Sequence, residues 1–144
     1  MVERGDMMIP RFWRKIKYRY DIVGSVCENC GSKFYPPRNF CPICRRRSKI
    51  KEQRFNGRGK VLSYTIVHDT PDEFKLNKPY IVALIELDDG PIITSQVVCN
   101  PEEIEVGMRV VKTFRKYFED GEDGVIYYGT KFVPEKIATN AKNF

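Results

Sequence analysis

Cys27-Glu28-Asn29-Cys30-Gly31 and Cys41-Pro42-Ile43-Cys44, two C-x-x-C knuckles separated by ten residues, decide how the front of this chain folds. Each knuckle lets two thiolates reach one ion from a tight turn. Two knuckles together complete the tetrahedral four-sulfur site that zinc accepts without geometric penalty. A redox dithiol needs only one pair, and rubredoxin-type iron, which has similar spacing, usually belongs to an electron-transfer protein. One zinc is therefore assigned to Cys27, Cys30, Cys41 and Cys44. With all four positions filled by sulfur, no place remains for a reactive water, so the metal is structural and not catalytic. Gly31 stands where a left-handed backbone is often needed, and Pro42 stiffens the second knuckle.

Reading outward from the knuckles, residues 21–50 hold few aliphatic side chains and many turn formers. That is the composition of a module held by metal rather than by a core, and a zinc site worth ~10–16 kcal/mol is ample to order it. Upstream, Pro10 to Tyr20 places Phe12, Trp13, Ile16 and Tyr20 at helical spacing with basic residues in the gaps. This predicts one short amphipathic helix, which either packs its aromatic face on the neighbouring module or docks on a partner. Downstream, Lys51 to Arg58, with Asn56-Gly57 inside it, reads as the crossing into a second region.

From Gly59 onward the pattern changes to strands. Lys60–His68 alternates and is rich in β-branched and aromatic residues; Pro79–Leu87 is a nearly continuous apolar run, and Asp88-Asp89-Gly90-Pro91 turns it into Ile92–Cys99. Asn100-Pro101-Glu102-Glu103 offers a cap, a proline and first-turn acids, which suit a single helical turn before Gly107. Met108–Phe118 and Val125–Val133 add two strands across the acidic turn Glu119 to Gly124. Five strands without long helices suggest a small closed barrel of the OB type. The expected organisation is mainly β: an N-terminal helix within residues 1–20, a zinc ribbon over 21–56, a five-stranded OB-fold barrel over 57–135 and a C-terminal tail over 136–144.

Composition agrees with a folded chain, since 42% of its 144 residues are hydrophobic and nine Phe, eight Tyr and one Trp supply a core. No run approaches the ~20 apolar residues of a membrane span, and the first ten residues lack the apolar centre of a signal peptide, so a cytoplasmic location is expected. The net charge of +6 hides a division: residues 1–60 hold 16 Lys/Arg against 5 Asp/Glu, and residues 61–144 hold 9 against 14. Four thiolates and one Zn2+ remove about two positive charges from the front and leave it strongly basic. Arg45-Arg46-Arg47 with Lys49 and Lys51 forms one basic cluster, and Arg11, Arg14, Lys15, Lys17 and Arg19 form another. Such clusters are a solvated positive face, or meet a phosphate-bearing cofactor, an acidic protein or nucleic acid.

Nothing in the sequence argues for an enzyme. There is no P-loop, no dinucleotide glycine pattern and no nucleophile elbow. His68, the only histidine, reads as a packed or surface residue, and Cys99 as a core residue. Asp88, Asp89 and the Glu119 to Asp123 run read as solvated turns.

Taken together, the aromatic and basic N-terminal helix, Cys27-x-x-Cys30-Gly31, Tyr35-Pro36-Pro37-Arg38 leading into Cys41-Pro42-x-Cys44, and Gly57-x-Gly59-Lys60-Val61 with Ser63-Tyr64-Thr65 resemble the DUF35 proteins. The Pro79-Tyr80 strand, the Gly90-Pro91 turn and Gly107-Met108-x-Val110 fit the same pattern, and the match runs from about residue 10 to residue 133. The resemblance implies a rubredoxin-like zinc ribbon joined to an OB barrel, with no active site of its own, associated with acyl-CoA metabolism. Members accompany thiolases or thiolase-fold enzymes. In archaea of the mevalonate route, a short member holds acetoacetyl-CoA thiolase and hydroxymethylglutaryl-CoA synthase in one assembly, and this short chain fits that role. Other members serve steroid or acetone metabolism. Under this reading CoA phosphates lie near the basic front, with Arg38, Arg45, Arg46 and Arg47 as candidates.

The competing reading is a single-stranded nucleic-acid-binding zinc-ribbon/OB protein, with Tyr64, Phe114, Tyr117, Tyr127 and Tyr128 as stacking platforms, although their placement within strands suits core or protein-interface roles at least as well. An OB barrel binds strands through its own positive groove, however, and here the barrel half is the acidic half. No specific nucleic acid and no membrane are expected as partners.

Overall fold

The computed structural model describes residues 9–69, 78–119 and 124–140. The front consists of α1 (Ile9–Arg14), α2 (Ile16–Tyr20) and a small sheet of β1 (Val23–Cys27), β2 (Lys33–Phe34) and β3 (Ile50–Arg54). The back consists of β4 (Arg58–Val67), β5 (Tyr80–Leu87), β6 (Ile92–Val97), β7 (Arg109–Glu119) and β8 (Ile126–Pro134), followed by α3 (Glu135–Asn140). Among the described residues no helix is long and apolar enough to cross a membrane.

The five back strands close into a barrel in the order β4-β5-β6-β8-β7. Pairing of Gly59 with Val110 and of Lys60 with Arg109 joins β4 to β7 and removes the free edges. All neighbours run antiparallel except β6 and β8, which meet in parallel at Val97 and Phe132. This is the OB arrangement, in which the last strand slots between the third and the fourth. Inward positions alternate along each strand, as a half-buried sheet requires: Ile81, Ala83, Ile85 and Leu87 of β5 face Val61, Ile93, Val97, Val110 and Phe132, all at most 5% exposed. Ile104, from the connection between β6 and β7, adds to the same core.

The ribbon is seated in that core. Ile22, just before β1, and Phe55, just after β3, are each 1% exposed and belong to the barrel's own cluster. The Phe55 N–H donates to the Ile22 carbonyl at 2.9 Å, so the chain enters and leaves the ribbon through one point. Charged groups ring this joint. Asp21 accepts from Lys112 Nζ at 2.5 Å and from the Ile22 N–H at 2.8 Å, and also pairs with Arg54. Its burial pushes the carboxyl up, but the Lys112 and Ile22 hydrogen bonds prevail and hold it below the usual carboxylate range.

Four expectations are corrected here. The single N-terminal helix is two, broken at Lys15, whose φ of −108° and ψ of 8° leave the helical well. Arg11, Arg14, Lys15 and Arg19 repel one another at helical spacing, while Phe12 and Tyr20 are drawn onto barrel rings, 4.8 Å from Tyr127 and 5.0 Å from Phe114. Residues 135–140 are helical rather than part of a tail, because Pro134 ends the strand and Glu135 supplies an acidic first turn beside Arg58 and Arg109. The Asp88-Asp89 turn is a joint rather than a merely solvated loop: Asp88 takes both arms of Arg109, and Asp89 accepts from the Asn56 N–H and from Lys33 Nζ. The stretch Lys51 to Arg58, expected as the crossing into the second region, instead begins inside β3 (Ile50–Arg54), which pairs with β1. The expected turn at Asn100 is present, closed by the Glu103 N–H on the Asn100 carbonyl at 3.0 Å, while most of the acidic run, residues 120–123, lies outside the described residues.

Phe55→Ala should cost about 3–5 kcal/mol, because it opens a cavity at the joint where ribbon and barrel share one core. Urea unfolding followed by circular dichroism measures this; a loss under ~1 kcal/mol would mean that the joint repacks.

Candidate functional site

The structure brings the two knuckles face to face at the far end of the ribbon. The Sγ atoms of Cys27, Cys30, Cys41 and Cys44 all lie within 4.8 Å of one another, and Cys30 and Cys41 approach to 3.5 Å. Sulfurs at tetrahedral corners around zinc stand about 3.8 Å apart, so the cage matches the ion. Cys27 and Cys41 are fully buried and shield one side of it.

The knuckles are internally equivalent. The Gly31 N–H donates to the Cys27 carbonyl at 2.7 Å, and the Arg45 N–H donates to the Cys41 carbonyl at 2.8 Å. Each donor follows the second cysteine of its pair, and each has positive φ: 74° at Gly31 and 48° at Arg45. Glycine occupies that conformation freely, whereas arginine pays a steric penalty.

Electrostatics also call for a cation. Hydrogen bonds from the side chain and backbone of Ser32 hold Cys30 down to about 6. Burial pushes Cys27 up, but backbone N–H groups of Cys30, Lys49 and Asn29 bring it down overall. The Asn29 amide, 3.2 Å from Cys44 Sγ, pulls Cys44 down, yet the neighbouring Cys30 and Cys27 drive it up to about 11. Four thiols in one cage cannot all ionise without an ion to neutralise them, and zinc is that ion.

The basic candidates surround this end of the molecule. Arg45, Arg46 and Arg47 form one exposed 3-10 turn directly on the second knuckle. Arg38 stands exposed over the Phe34 ring at 5.2 Å, and its N–H donates to the buried Ser25 Oγ at 2.9 Å. Between them Phe40 and Ile43 are 62% and 70% exposed, on either side of Cys41.

A second feature escaped the sequence reading. The N-terminal helices lie against β7 and β8 and roof a cleft of about 480 Å³ walled by Phe12, Tyr35, Tyr117, Phe118 and Tyr127, with Arg11 and Arg19 on its lining. Two of its hydroxyls are already engaged: Tyr117 donates to the Thr130 carbonyl at 2.7 Å and Tyr35 to the Tyr18 carbonyl at 3.0 Å. Gly129 lets the walls close, since a Cβ there would stand 2.7 Å from the Tyr117 ring. The cleft exists only because the arm folds back, which no local pattern encodes. Of the proposed stacking platforms, Tyr117 and Tyr127 are consumed in this cleft. Phe114 and Tyr128 stack on each other at 5.4 Å beside Tyr20, and Tyr64 is separately half-exposed. His68 stands exposed just past β4, and Cys99 is half-buried against the core.

This fold and this metal cage define a zinc-ribbon/OB-barrel protein. Two domain-family profiles match it: the ChsH2 rubredoxin-like zinc ribbon domain over residues 14–49 and the ChsH2 C-terminal OB-fold domain over residues 52–115. The chain is 48% identical over 130 residues to a DUF35 domain-containing scaffold protein of Methanocaldococcus jannaschii, covering 90% of this chain and 92% of the relative. It is 49% identical over 126 residues to the protein of the same description in Methanothermobacter thermautotrophicus, covering 87% and 95%. A solved structure described as an Ltp2-ChsH2(DUF35) aldolase superposes with a TM-score of 0.63 at 27% identity, over 92% of this chain and 96% of that one. The chain belongs to the DUF35 family.

Removing the metal should unravel the ribbon and spare the barrel, whose strands close on themselves. In hydrogen exchange, a strong chelator or Cys27→Ser should expose the amides of β1 and β3 while β4–β8 stay protected. Loss of protection in both at one rate would show that they unfold as a unit. Arg45→Gly should relieve the left-handed strain and raise stability by about 0.5–1 kcal/mol in urea unfolding of the zinc-bound protein; a decrease would mean that the Arg45 side chain holds the knuckle.

Proposed function

We propose that this chain is a non-catalytic scaffold subunit that holds acetoacetyl-CoA thiolase and hydroxymethylglutaryl-CoA synthase together in the cytoplasm, so that acetoacetyl-CoA passes between them in the mevalonate pathway. The observation that carries this reading is similarity, over almost the full length of both chains, to relatives described as scaffold proteins. The ChsH2 relative, solved together with an aldolase, supports association with an enzyme.

Two separated exposed surfaces suit a bridge. One is the ribbon end, with Phe40 and Ile43 bordered by Arg45, Arg46 and Arg47; the other is the barrel face carrying Tyr20, Phe114 and Tyr128. Aromatic and arginine side chains are those that anchor interfaces. Bridging has a thermodynamic use: condensation of two acetyl-CoA is uphill, and a consuming enzyme held nearby draws the product forward. Arg38, Arg45, Arg46 and Arg47 are offered to the CoA phosphates, since exposed guanidinium groups match phosphate oxygens in pairs.

Size-exclusion chromatography of the two purified enzymes with this chain should give one large complex, and the enzymes alone should elute apart. Equal association without the chain would defeat the scaffold reading. Sub-micromolar binding of a single-stranded oligonucleotide at physiological salt would instead favour a nucleic-acid role, because attraction to the basic front alone collapses as salt rises.

A further inference from the structure

Lys131 on β8 is 6% exposed, and Lys131 and Ser25 are the buried polar residues among those described. Ser25 has its partner in the Arg38 N–H. Lys131 has none: among the described residues no carboxylate, carbonyl or hydroxyl accepts from its ammonium, which sits 4.6 Å from the centre of the Tyr117 ring. The residue is packed, but its ammonium is not sealed off: it opens into a cavity, and a ring face compensates its charge only in part while leaving its N–H donors unused.

The neighbourhood adds to the imbalance. Lys131 pairs across the ladder with Thr113, and Arg115 pairs with Gly129, so Lys131 and Arg115 are diagonal neighbours on one face of the sheet. Diagonal neighbours remain within reach of long side chains, so the two positive charges face one another across the ladder. Arg115 also has no acidic partner among the described residues, and Lys116 beside it is already paired with Glu119. All three cations line a cavity of about 330 Å³, whose remaining wall includes Pro79, Ile81, Val97 and Val98.

We propose that this cavity, bordered by β5, β6, β7 and β8, is an oxyanion site in which Lys131 and Arg115 hold the phosphate group of a small phosphate monoester. Two cations without an acidic partner among the described residues match a dianion better than a carboxylate, which would neutralise only one of them. The donors of an ammonium and a guanidinium can share the oxygens of one phosphate. The volume lies near the low end of ligand pockets, and the apolar wall suits a short hydrocarbon attached to the phosphate. Burial, followed by the charge of Arg115, pushes the Lys131 ammonium down from its ordinary value, as expected of a cation awaiting its counter-ion. The site stands apart from the basic ribbon end and does not depend on the bridging role.

The test is a chemical-shift titration of the full chain at constant ionic strength with inorganic phosphate, and separately with acetate. Phosphate should give saturable shifts at Val97, Val98, Arg115 and Lys131, with acetate binding at least about tenfold more weakly. Lys131→Met, which keeps the volume and removes the charge, and Arg115→Gln, at an exposed position, should each weaken phosphate binding about tenfold or more. Shifts that never saturate, that survive both substitutions, or that acetate reproduces at equal affinity would overturn the proposal. Shifts that appear at the ribbon end instead would do the same.

Discussion

The contact between Ile22 and Phe55 is the constraint on which the rest of the molecule depends. Both side chains belong to the barrel core, yet they bracket the ribbon in sequence and are tied by one backbone hydrogen bond. The ribbon is thus a loop fastened at its base by buried apolar surface and at its tip by four sulfurs. Neither fastening suffices alone. The ribbon's strands carry residues such as Lys51, Glu52 and Arg54 that offer little to a core, and a metal cage at one end does not determine where the other end sits. The groups around the joint, Asp21 with Lys112 and Arg54, and Asp89 with Asn56 and Lys33, orient a connection that the hydrophobic contact has already made. Partly exposed ion pairs contribute direction more than strength.

Holding the ribbon rigidly has a consequence for its outer surface. Phe40, Ile43 and the Arg45 to Arg47 turn ride on the knuckles, so their positions follow from the metal geometry rather than from a flexible loop. Arg45 is the telling residue, because the equivalent place on the first knuckle carries glycine and the backbone of both is left-handed. A strained arginine where glycine would be relaxed is the kind of local cost associated with functional surfaces. The barrel contributes a different surface, built from rings of β7 and β8 together with Tyr20 from the arm. Charge divides along the same line, with the basic residues in the front of the chain and an acidic excess in the back. Two rigidly related surfaces of different character are what a bridging protein requires.

The arm has a double role. Through Phe12 it closes the aromatic cleft, and through Tyr18 and Lys17 it grips Glu52 of the ribbon at 2.6 and 2.7 Å, so it touches both modules. Trp13 meanwhile points outward at 72% exposure. Within the same helical pair Phe12 packs on Tyr127, Tyr20 lies edge-on to Phe114 while staying partly exposed, and Trp13 is left at the surface.

The four zinc ligands and the five barrel strands were legible in the sequence because each rests on a local rule: two thiols reach one ion from a four-residue turn, and alternation marks a strand with one face buried. The resemblance to the DUF35 family was legible for a similar reason, since its motifs are short and contiguous. What the sequence could not specify depends on residues far apart. The break at Lys15 follows from rings on β7 and β8, α3 from arginines on β4 and β7, and the Asp88-Asp89 joint from Asn56, Lys33 and Arg109 arriving from three directions. Lys131 shows the same limit. Its position on a strand was readable, but its packing beside Arg115, with no acidic partner among the described residues, is a property of strand register and barrel closure, which only the tertiary structure decides.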